Sequence, residues 1–205
     1  MYNPGMIPGI ILAAGRSERM GRAKALLPCG PGGEPFVRVL ARALSAGGVA
    51  GVIVVGRPGA RDLHVEVEAI GMSVTFVENA GADAGQLSSL LAGLAVADRP
   101  GVRAILMTPV DAPLVGAGTV ERLLAEFRST GAPIVRAVHR GVHGHPVVFS
   151  RAVFDDLRRA DPSLGAKAVL RAYERAILNV ETDDPGVVAD IDTPEDYRAV
   201  FGQPL

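Results

Sequence analysis

The chain has 205 residues, a formal net charge of −1 and a hydrophobic content of 48%. This length predicts a single domain, residues 1–205, with a complete hydrophobic core. The balanced charge disfavours nucleic acid and anionic membranes as partners, because both require a basic surface, and an aromatic content of 4% without tryptophan disfavours a surface that stacks sugars or bases.

The first predicted element is a buried strand at residues 10–13, four apolar residues that lead directly into a loop. The loop holds Gly15 and Gly21. It also carries four basic residues: Arg16, Arg19, Arg22 and Lys24. Backbone N–H groups and cations therefore lie at the carboxyl end of a strand, where open α/β sheets bind their ligands. The ligand that this chemistry suits is a polyphosphate.

The spacing of this loop excludes two common phosphate-binding motifs. A dinucleotide-binding loop requires G-x-G-x-x-G, and a P-loop requires G-x-x-x-x-G-K-[ST] before a helix. The sequence from Leu12 to Lys24 is instead L-A-A-G-R-S-E-R-M-G-R-A-K. It resembles the signature of the nucleotidyltransferases that activate a phosphorylated acceptor with an NTP, and it is most similar to the molybdenum cofactor cytidylyltransferase branch of the MobA/MocA-like family.

The resemblance implies that this signature loop wraps the nucleotide. The residues expected against base and ribose are Leu12, Ala13, Ala14 and Gly15. Arg19 and Lys24 are expected to hold the triphosphate and to act as the catalytic cations.

Strands and helices alternate in the next part of the chain. Helical spacing of apolar residues predicts a helix over 36–46. Runs at 51–56 and 73–78 predict strands on either side of an amphipathic helix over 62–70. Such alternation is typical of a parallel sheet with helices on both faces. We therefore expect a three-layer α/β/α fold with a mostly parallel sheet, and the resemblance implies a Rossmann-like, GT-A-like nucleotidyltransferase.

Small residues at 79–87 precede a further predicted helix, with Ser88 and Ser89 in or near its first turn. The free N–H groups and positive dipole end of a helix attract polar or anionic ligands, although serines there can also be simple caps. The family has a G-x-S-x-S-L element that meets base and sugar. The residues that the resemblance places in this role are Gly85, Gln86, Ser88 and Ser89.

Two aspartates are candidate metal ligands. A strand over 102–108 ends at P-V-D-A-P, which places Asp111 at the same sheet edge as the signature loop. The resemblance implies that Asp111 and Asp192 hold Mg²⁺, with Asp190 as the nearby alternative, and Mg²⁺ in NTP enzymes is bound by one or two carboxylates plus substrate phosphates. Thr193 is the predicted N-cap of the last helix.

A predicted helix at 118–129 and a strand at 133–138 lead to H-R-G-V-H-G-H-P-V-V-F at 139–149. This segment resembles the hairpin by which the family presents its acceptor. His145, and after it His143, are the implied acceptor contacts. A zinc site is disfavoured, because the histidines lack apparent third and fourth ligands.

A third acceptor candidate is Lys167. Relatives often have G-D-x-G-A-R in this segment, and this chain keeps Gly165 and a cation at Lys167 but has Ser163 in place of the aspartate. The identity of the acceptor therefore does not follow from the motif.

The resemblance implies Mg²⁺-dependent cytidylyl transfer from CTP to a molybdopterin cofactor, with release of pyrophosphate. Another small phosphorylated acceptor is the alternative in the same class. Alternatives from other classes are a nicotinamide-dependent oxidoreductase and a non-catalytic protein that delivers cofactor to a molybdoenzyme recipient. The missing dinucleotide motif disfavours the first, and the intact acidic and basic residues disfavour the second.

Targeting and redox features are those of a cytoplasmic protein. Cys29 is the single cysteine, which excludes an internal disulfide and a cysteine cluster for zinc. No apolar run approaches the roughly 20 residues that span a bilayer, and residues 1–5 do not resemble a signal peptide.

Overall fold

The computed structural model of the protein describes residues 5–71, 73–162 and 164–203. The strands are β1 (Gly9–Leu12), β2 (Val52–Gly56), β3 (Val74–Glu78), β4 (Ala104–Pro109), β5 (Ile134–His139), β6 (Val142–Ser150) and β7 (Ile177–Glu181). They form one seven-stranded sheet in the order β3-β2-β1-β4-β6-β5-β7. β1 is therefore an inner strand, with β2 and β4 beside it.

Helices connect most of these strands. They are α1 (Phe36–Ala46), α2 (Arg61–Glu68), α3 (Gln86–Ala97), α4 (Ala117–Thr130), α5 (Phe154–Arg159), α6 (Ala166–Ala172) and α7 (Pro194–Phe201). Over the described ranges, none of the helices has the length and apolar character needed to cross a membrane.

The amino-terminal half of the sheet is parallel, because a helix returns the chain between successive strands. β1 pairs in parallel with β2 and β4, and β2 pairs in parallel with β3. Every residue of β1, β2 and β4 is buried. The continuous apolar runs in their sequences follow from this burial on both faces. The carboxyl ends of all four strands meet at one edge, which we call the binding edge.

β6 is the exception to the parallel arrangement. It runs antiparallel to both β4 and β5, because β5 returns into β6 through a tight hairpin. Arg140 and Gly141 at this turn both have positive φ, 50° and 76°, as the turn type that matches strand twist requires. β5 pairs in parallel with β7 at the sheet edge. The predicted mostly parallel sheet is therefore confirmed.

Each face of the sheet carries its own hydrophobic core. On one face α1, α2, α4 and α7 contribute buried side chains, and on the other α3, α5 and α6 do. α3 lies close to β1 because Gly93 has no side chain: a β-carbon there would lie 2.7 Å from Cγ2 of Ile10. The predicted three layers are confirmed, and this close packing brings the amino end of α3 to the binding edge.

Element bounds follow the predictions closely. The helix predicted at 36–46 occupies Phe36–Ala46. The strand predicted at 10–13 ends one residue earlier, at Leu12, because the chain leaves the sheet at Ala13, whose N–H still donates to the Val55 carbonyl at 2.8 Å. Thr193 is the N-cap of α7, as predicted, and forms a capping box with Asp196.

Candidate functional site

A cavity of about 870 Å³ opens at the binding edge. Four loops surround it, those after β1, β2, β3 and β4, as expected where parallel strands end together. The predicted nucleotide and metal residues that line it are Leu12, Ala13, Ala14, Gly15, Lys24, Gly85, Gln86, Ser89 and Asp111. The cavity therefore brings together the signature loop, the start of α3 and Asp111, whereas its lining does not include Arg19, Ser88, Asp192 or His145.

Gly15 lies where the signature loop faces this cavity. Its φ is not in the left-handed region, and a β-carbon added to it would meet no atom of the protein within 4 Å. Neither backbone strain nor packing within the chain therefore requires a glycine here. A ligand that approaches the backbone closely would require one.

The signature loop curls back through two left-handed residues. Ser17 has φ 53° and Gly21 has φ 70°. The Ser17 hydroxyl accepts the backbone N–H of Lys24 at 3.2 Å, which closes the loop. A serine in this conformation costs about 1–3 kcal/mol, and the hydrogen bond offsets part of that cost. The result is that Lys24 points to the binding edge.

Lys24 is the centre of a charge cluster. Its Nζ contacts a carboxylate oxygen of Asp192 and lies 3.5 Å from Oδ2 of Asp111. Arg19 reaches the other oxygen of Asp192 at 2.9 Å. The Lys24 side chain is only 11% exposed. Hydrogen bonding from Lys24, opposed by desolvation and helped by Arg19, holds the pKa of the Asp192 carboxyl below its ordinary value.

Backbone contacts fix the two aspartates beside one another. The N–H of Ile191, a fully buried residue, donates to the carbonyl of Asp111 at 2.8 Å. The N–H of Asp192 donates to Oδ2 of Asp196 at 3.1 Å. Asp190 lies at the surface, yet partial desolvation and the negative charges of Asp111 and Asp192 raise the pKa of its carboxyl. The segment before α7 thus brings Asp190 and Asp192 to the binding edge beside Asp111.

The donor set suits a divalent cation that also binds substrate. Asp111 and Asp192 direct oxygens at one positive charge, the Lys24 ammonium. Within the described part of the chain, no three His, Cys, Asp or Glu side chains group closely enough to hold a metal by themselves. Mg²⁺ in NTP enzymes is held in this incomplete way, with substrate phosphates and water as its other ligands.

The serines in the first turn of α3 mainly stabilise the loop that precedes the helix. Asn79 donates from Nδ2 to the Oγ atoms of Ser88 and Ser89, at 2.9 and 3.0 Å. The Ser88 hydroxyl lies 2.7 Å from the Gly81 carbonyl and 2.8 Å from that of Gly85. Ser88 is therefore satisfied within the chain. Ser89 lines the cavity, as do Gly85 and Gln86.

The acceptor candidates differ in their position. His145 lies in β6 and is joined to Pro146 by a cis peptide bond, and its Nδ1 is buried with no hydrogen-bond partner among the described residues. Burial lowers the pKa of the His145 imidazole, and the Asp111 carboxylate opposes this. His143 is exposed on the β5–β6 hairpin. Lys167 is exposed on α6, outside the cavity lining, and Ser163 lies outside the described residues.

The sequence analysis did not single out Arg57, which also lines the cavity. It follows β2 directly, in G-R-P-G, so it leaves the sheet at the binding edge just as the signature loop does. A basic residue after a second buried strand was the available signal. Its contact with Asp83, in the loop after β3, depends on β2 and β3 being neighbours in the sheet.

A sequence model described as the MobA-like NTP transferase domain matches residues 9–177. Molybdenum cofactor guanylyltransferase of Rhodobacter capsulatus is 34% identical over 195 residues, 93% of this chain and 92% of that protein. Molybdenum cofactor cytidylyltransferase of Escherichia coli strain K12 is 28% identical over 193 residues, 92% of each chain.

Solved structures include one of Rv0371c from Mycobacterium tuberculosis H37Rv. It superposes with a TM-score of 0.81 at 26% identity, and covers 97% of this chain and 99% of that one. A structure of Rv0371c in complex with manganese superposes with a TM-score of 0.76 at 27% identity and the same coverage.

Proposed function

The chain belongs to the MobA-like NTP transferase family, and from this premise we propose that it transfers a cytidylyl group from CTP to the phosphate of a molybdopterin-type cofactor. The protein is a nucleotidyltransferase, as its relatives are. The observation that carries the proposal is the convergence of Lys24 on Asp111 and Asp192 beside a cavity lined by the signature loop.

The reaction joins two anions, so it depends mainly on charge neutralisation and alignment. An oxygen of the acceptor phosphate forms a bond to the α-phosphorus of the NTP. The bond from that phosphorus to the bridging oxygen breaks, and its electron pair leaves with pyrophosphate. Lys24 and Arg19 bind the triphosphate and stabilise the charge that develops on the leaving group. No nucleophilic side chain is needed.

Asp111 and Asp192 would hold the divalent cation, with Mg²⁺ as the proposed ion. When bound, such a cation polarises the phosphoryl oxygens and neutralises their charge. The manganese complex of the related Rv0371c supports a divalent cation in this type of protein. Lys24 lies 3.5 Å from Asp111, and its ammonium can turn from the carboxylates to the phosphates because a lysine side chain is flexible.

The proposed donor rests on the signature loop. Its L-A-A-G sequence, with Ala14 before Gly15, resembles the cytidylyltransferase branch. GTP is the competing donor, because the guanylyltransferase of Rhodobacter capsulatus is 34% identical to this chain and the cytidylyltransferase of Escherichia coli 28%.

His145 is the proposed acceptor contact of the β5–β6 hairpin. Its buried Nδ1 has no partner within the described chain, and a neutral imidazole can either donate to or accept from a ligand. His143 and Lys167 are exposed and would contact only a part of the acceptor that extends beyond the cavity.

The test measures pyrophosphate release with Mg²⁺ and each of CTP, GTP, ATP and UTP, with and without the molybdopterin-type cofactor as acceptor. Mass spectrometry identifies the product. The proposal predicts release with CTP and acceptor together, and a product heavier than the acceptor by one cytidylyl group, which is CMP less one water. Release with GTP instead of CTP would refute CTP as the donor but would still support nucleotidyl transfer. Nucleotide-dependent release with a different phosphorylated acceptor would refute the cofactor assignment.

A further inference from the structure

Asp83 joins two arginines at the rim of the cavity. It lies in the turn between β3 and α3, and its Oδ1 accepts from Nε of Arg16 at 3.1 Å and from Nη2 of Arg57 at 2.6 Å. Arg57 also donates from Nη1 to the carbonyl of Ala14 at 3.2 Å. The three residues form what we call the Arg16–Asp83–Arg57 bridge. None of these contacts is needed to neutralise the triphosphate in the proposed reaction.

The bridge connects three loops at the binding edge. Arg16 follows β1, Arg57 follows β2, and Asp83 follows β3. Two of these loops contribute walls of the cavity, one at Ala14 and the other at Ala82, Gly85 and Gln86. The bridge therefore connects these two walls directly.

Arg57 is the least exposed member of the bridge. Its side chain is 31% exposed, against 59% for Arg16 and 62% for Asp83. Exposed ion pairs contribute little to the stability of a fold, so a purely structural purpose is a weak explanation for the bridge. The planar guanidinium of Arg57 can hold a carbonyl and a carboxylate at the same time in a fixed geometry, which a lysine cannot reproduce.

We propose that Arg57 is a positioning residue for the nucleotide: by holding the Ala14 carbonyl and the Asp83 carboxylate together, it sets the separation of the two walls that receive base and ribose. This inference rests on the proposed function, because it assigns that part of the cavity to the nucleotide. Base and ribose do not react, so their binding contributes equally to the ground state and the transition state. Loss of Arg57 should therefore raise KM and leave kcat unchanged.

The experiment compares Arg57→Ala and Arg57→Lys with the wild type. Dissociation constants of Mg-CTP and Mg-GTP are measured by calorimetry, and kcat and KM by pyrophosphate release. Arg57→Ala should weaken binding of the preferred nucleotide about tenfold and raise KM by the same factor, with kcat within about twofold of wild type. Arg57→Lys should lie between the two, because it retains one of the two contacts.

Arg38→Ala is the matched control. Arg38 is 29% exposed and pairs with Glu66 at 2.7 Å, so its burial and ion pairing resemble those of Arg57, but it lies on α1 outside the cavity lining. It should leave nucleotide affinity and KM at wild-type values. The double variant Arg57→Ala, Asp83→Ala should bind nucleotide no more weakly than Arg57→Ala alone, because both changes remove one bridge.

The outcomes separate this inference from the proposed function. If the wild type binds nucleotide and Arg57→Ala binds it equally well, the positioning role is refuted and the proposed function stands. A loss of kcat without a change in affinity would also refute it, since that would place Arg57 in the reacting part of the site. A wild type that binds neither Mg-CTP nor Mg-GTP refutes both.

Discussion

Replacing Lys24 by methionine should destabilise the fold in a way that depends on pH. The substitution retains most of the unbranched side chain and removes the ammonium that contacts Asp111 and Asp192. Arg19 remains on one side of Asp192. Asp190, whose carboxyl pKa is already raised by its acidic neighbours, would then face two aspartates without the central cation.

The magnitude follows from the exposure of the partners. Removing one partner of a fully buried ion pair costs about 3–5 kcal/mol, whereas an exposed pair contributes about 1 kcal/mol or less. The Lys24 side chain is 11% exposed, but those of Asp111 and Asp192 are 27% and 33% exposed, so water screens one side of the cluster. We expect the free energy of unfolding to fall by about 1–2 kcal/mol at pH 7.

The destabilisation by Lys24→Met should depend on pH in a definite direction. Lys24 depresses the pKa of folded Asp192, so the stabilisation is complete above the unfolded value of about 4 and is lost as the pH falls through the folded value. The difference between wild type and Lys24→Met should therefore be largest at neutral pH and shrink in acid.

Urea unfolding followed by far-UV circular dichroism measures this difference, with Lys167→Met as control because Lys167 is an exposed lysine on α6. The control should match the wild type at each pH. Wild-type stability of Lys24→Met at neutral pH, or a deficit that persists undiminished in acid, would refute the electrostatic argument. Adding Mg²⁺ should stabilise Lys24→Met more than the wild type, because the cation replaces the missing positive charge.

Three further substitutions test other parts of the structure. Asp184→Ala should lower the free energy of unfolding by about 2–3 kcal/mol in urea titrations, because its carboxylate accepts from the N–H of Gly116 at 2.9 Å and the hydroxyl of Thr119 at 2.7 Å. Gly15→Val should leave the urea midpoint unchanged and weaken Mg-NTP binding in calorimetry about tenfold or more, since its side chain meets only the cavity. Burial depresses the pKa of His145, so the unfolded chain takes up a proton below about pH 6.5 that the folded chain does not. The free energy of unfolding therefore decreases as the pH is lowered. His145→Gln should remove that part of the decrease between about pH 7 and 5, as measured in urea titrations.

Much of the fold could be predicted because local patterns and packing agree. The helix at Phe36–Ala46 has its apolar residues on one face and buries that face. The strands β1, β2 and β4 are buried on both sides and are apolar throughout. β6 could be assigned to a hairpin with β5, but its insertion between β4 and β5 depends on contacts distant in sequence.

The site could be predicted only where residues lie in a motif. Ala13 to Lys24 follow β1 without interruption, so the glycines and basic residues of this one segment indicated a phosphate-binding function. Asp83 and Arg57 are 26 residues apart and have no shared pattern. They meet because β2 and β3 are neighbours whose carboxyl ends lie at one edge, which only the assembled sheet reveals. The contact between Lys24 and Asp192 spans 168 residues and arises in the same way.

The central claim is that Asp111 and Asp192 hold the divalent cation that nucleotidyl transfer requires. Pyrophosphate release by Asp111→Asn and Asp192→Asn, with circular dichroism to verify the fold, tests it most directly. A bound cation supplies several kcal/mol of transition-state stabilisation, so each variant should remain folded and lose turnover by about 100-fold or more. Wild-type rates of release in both variants would contradict the account.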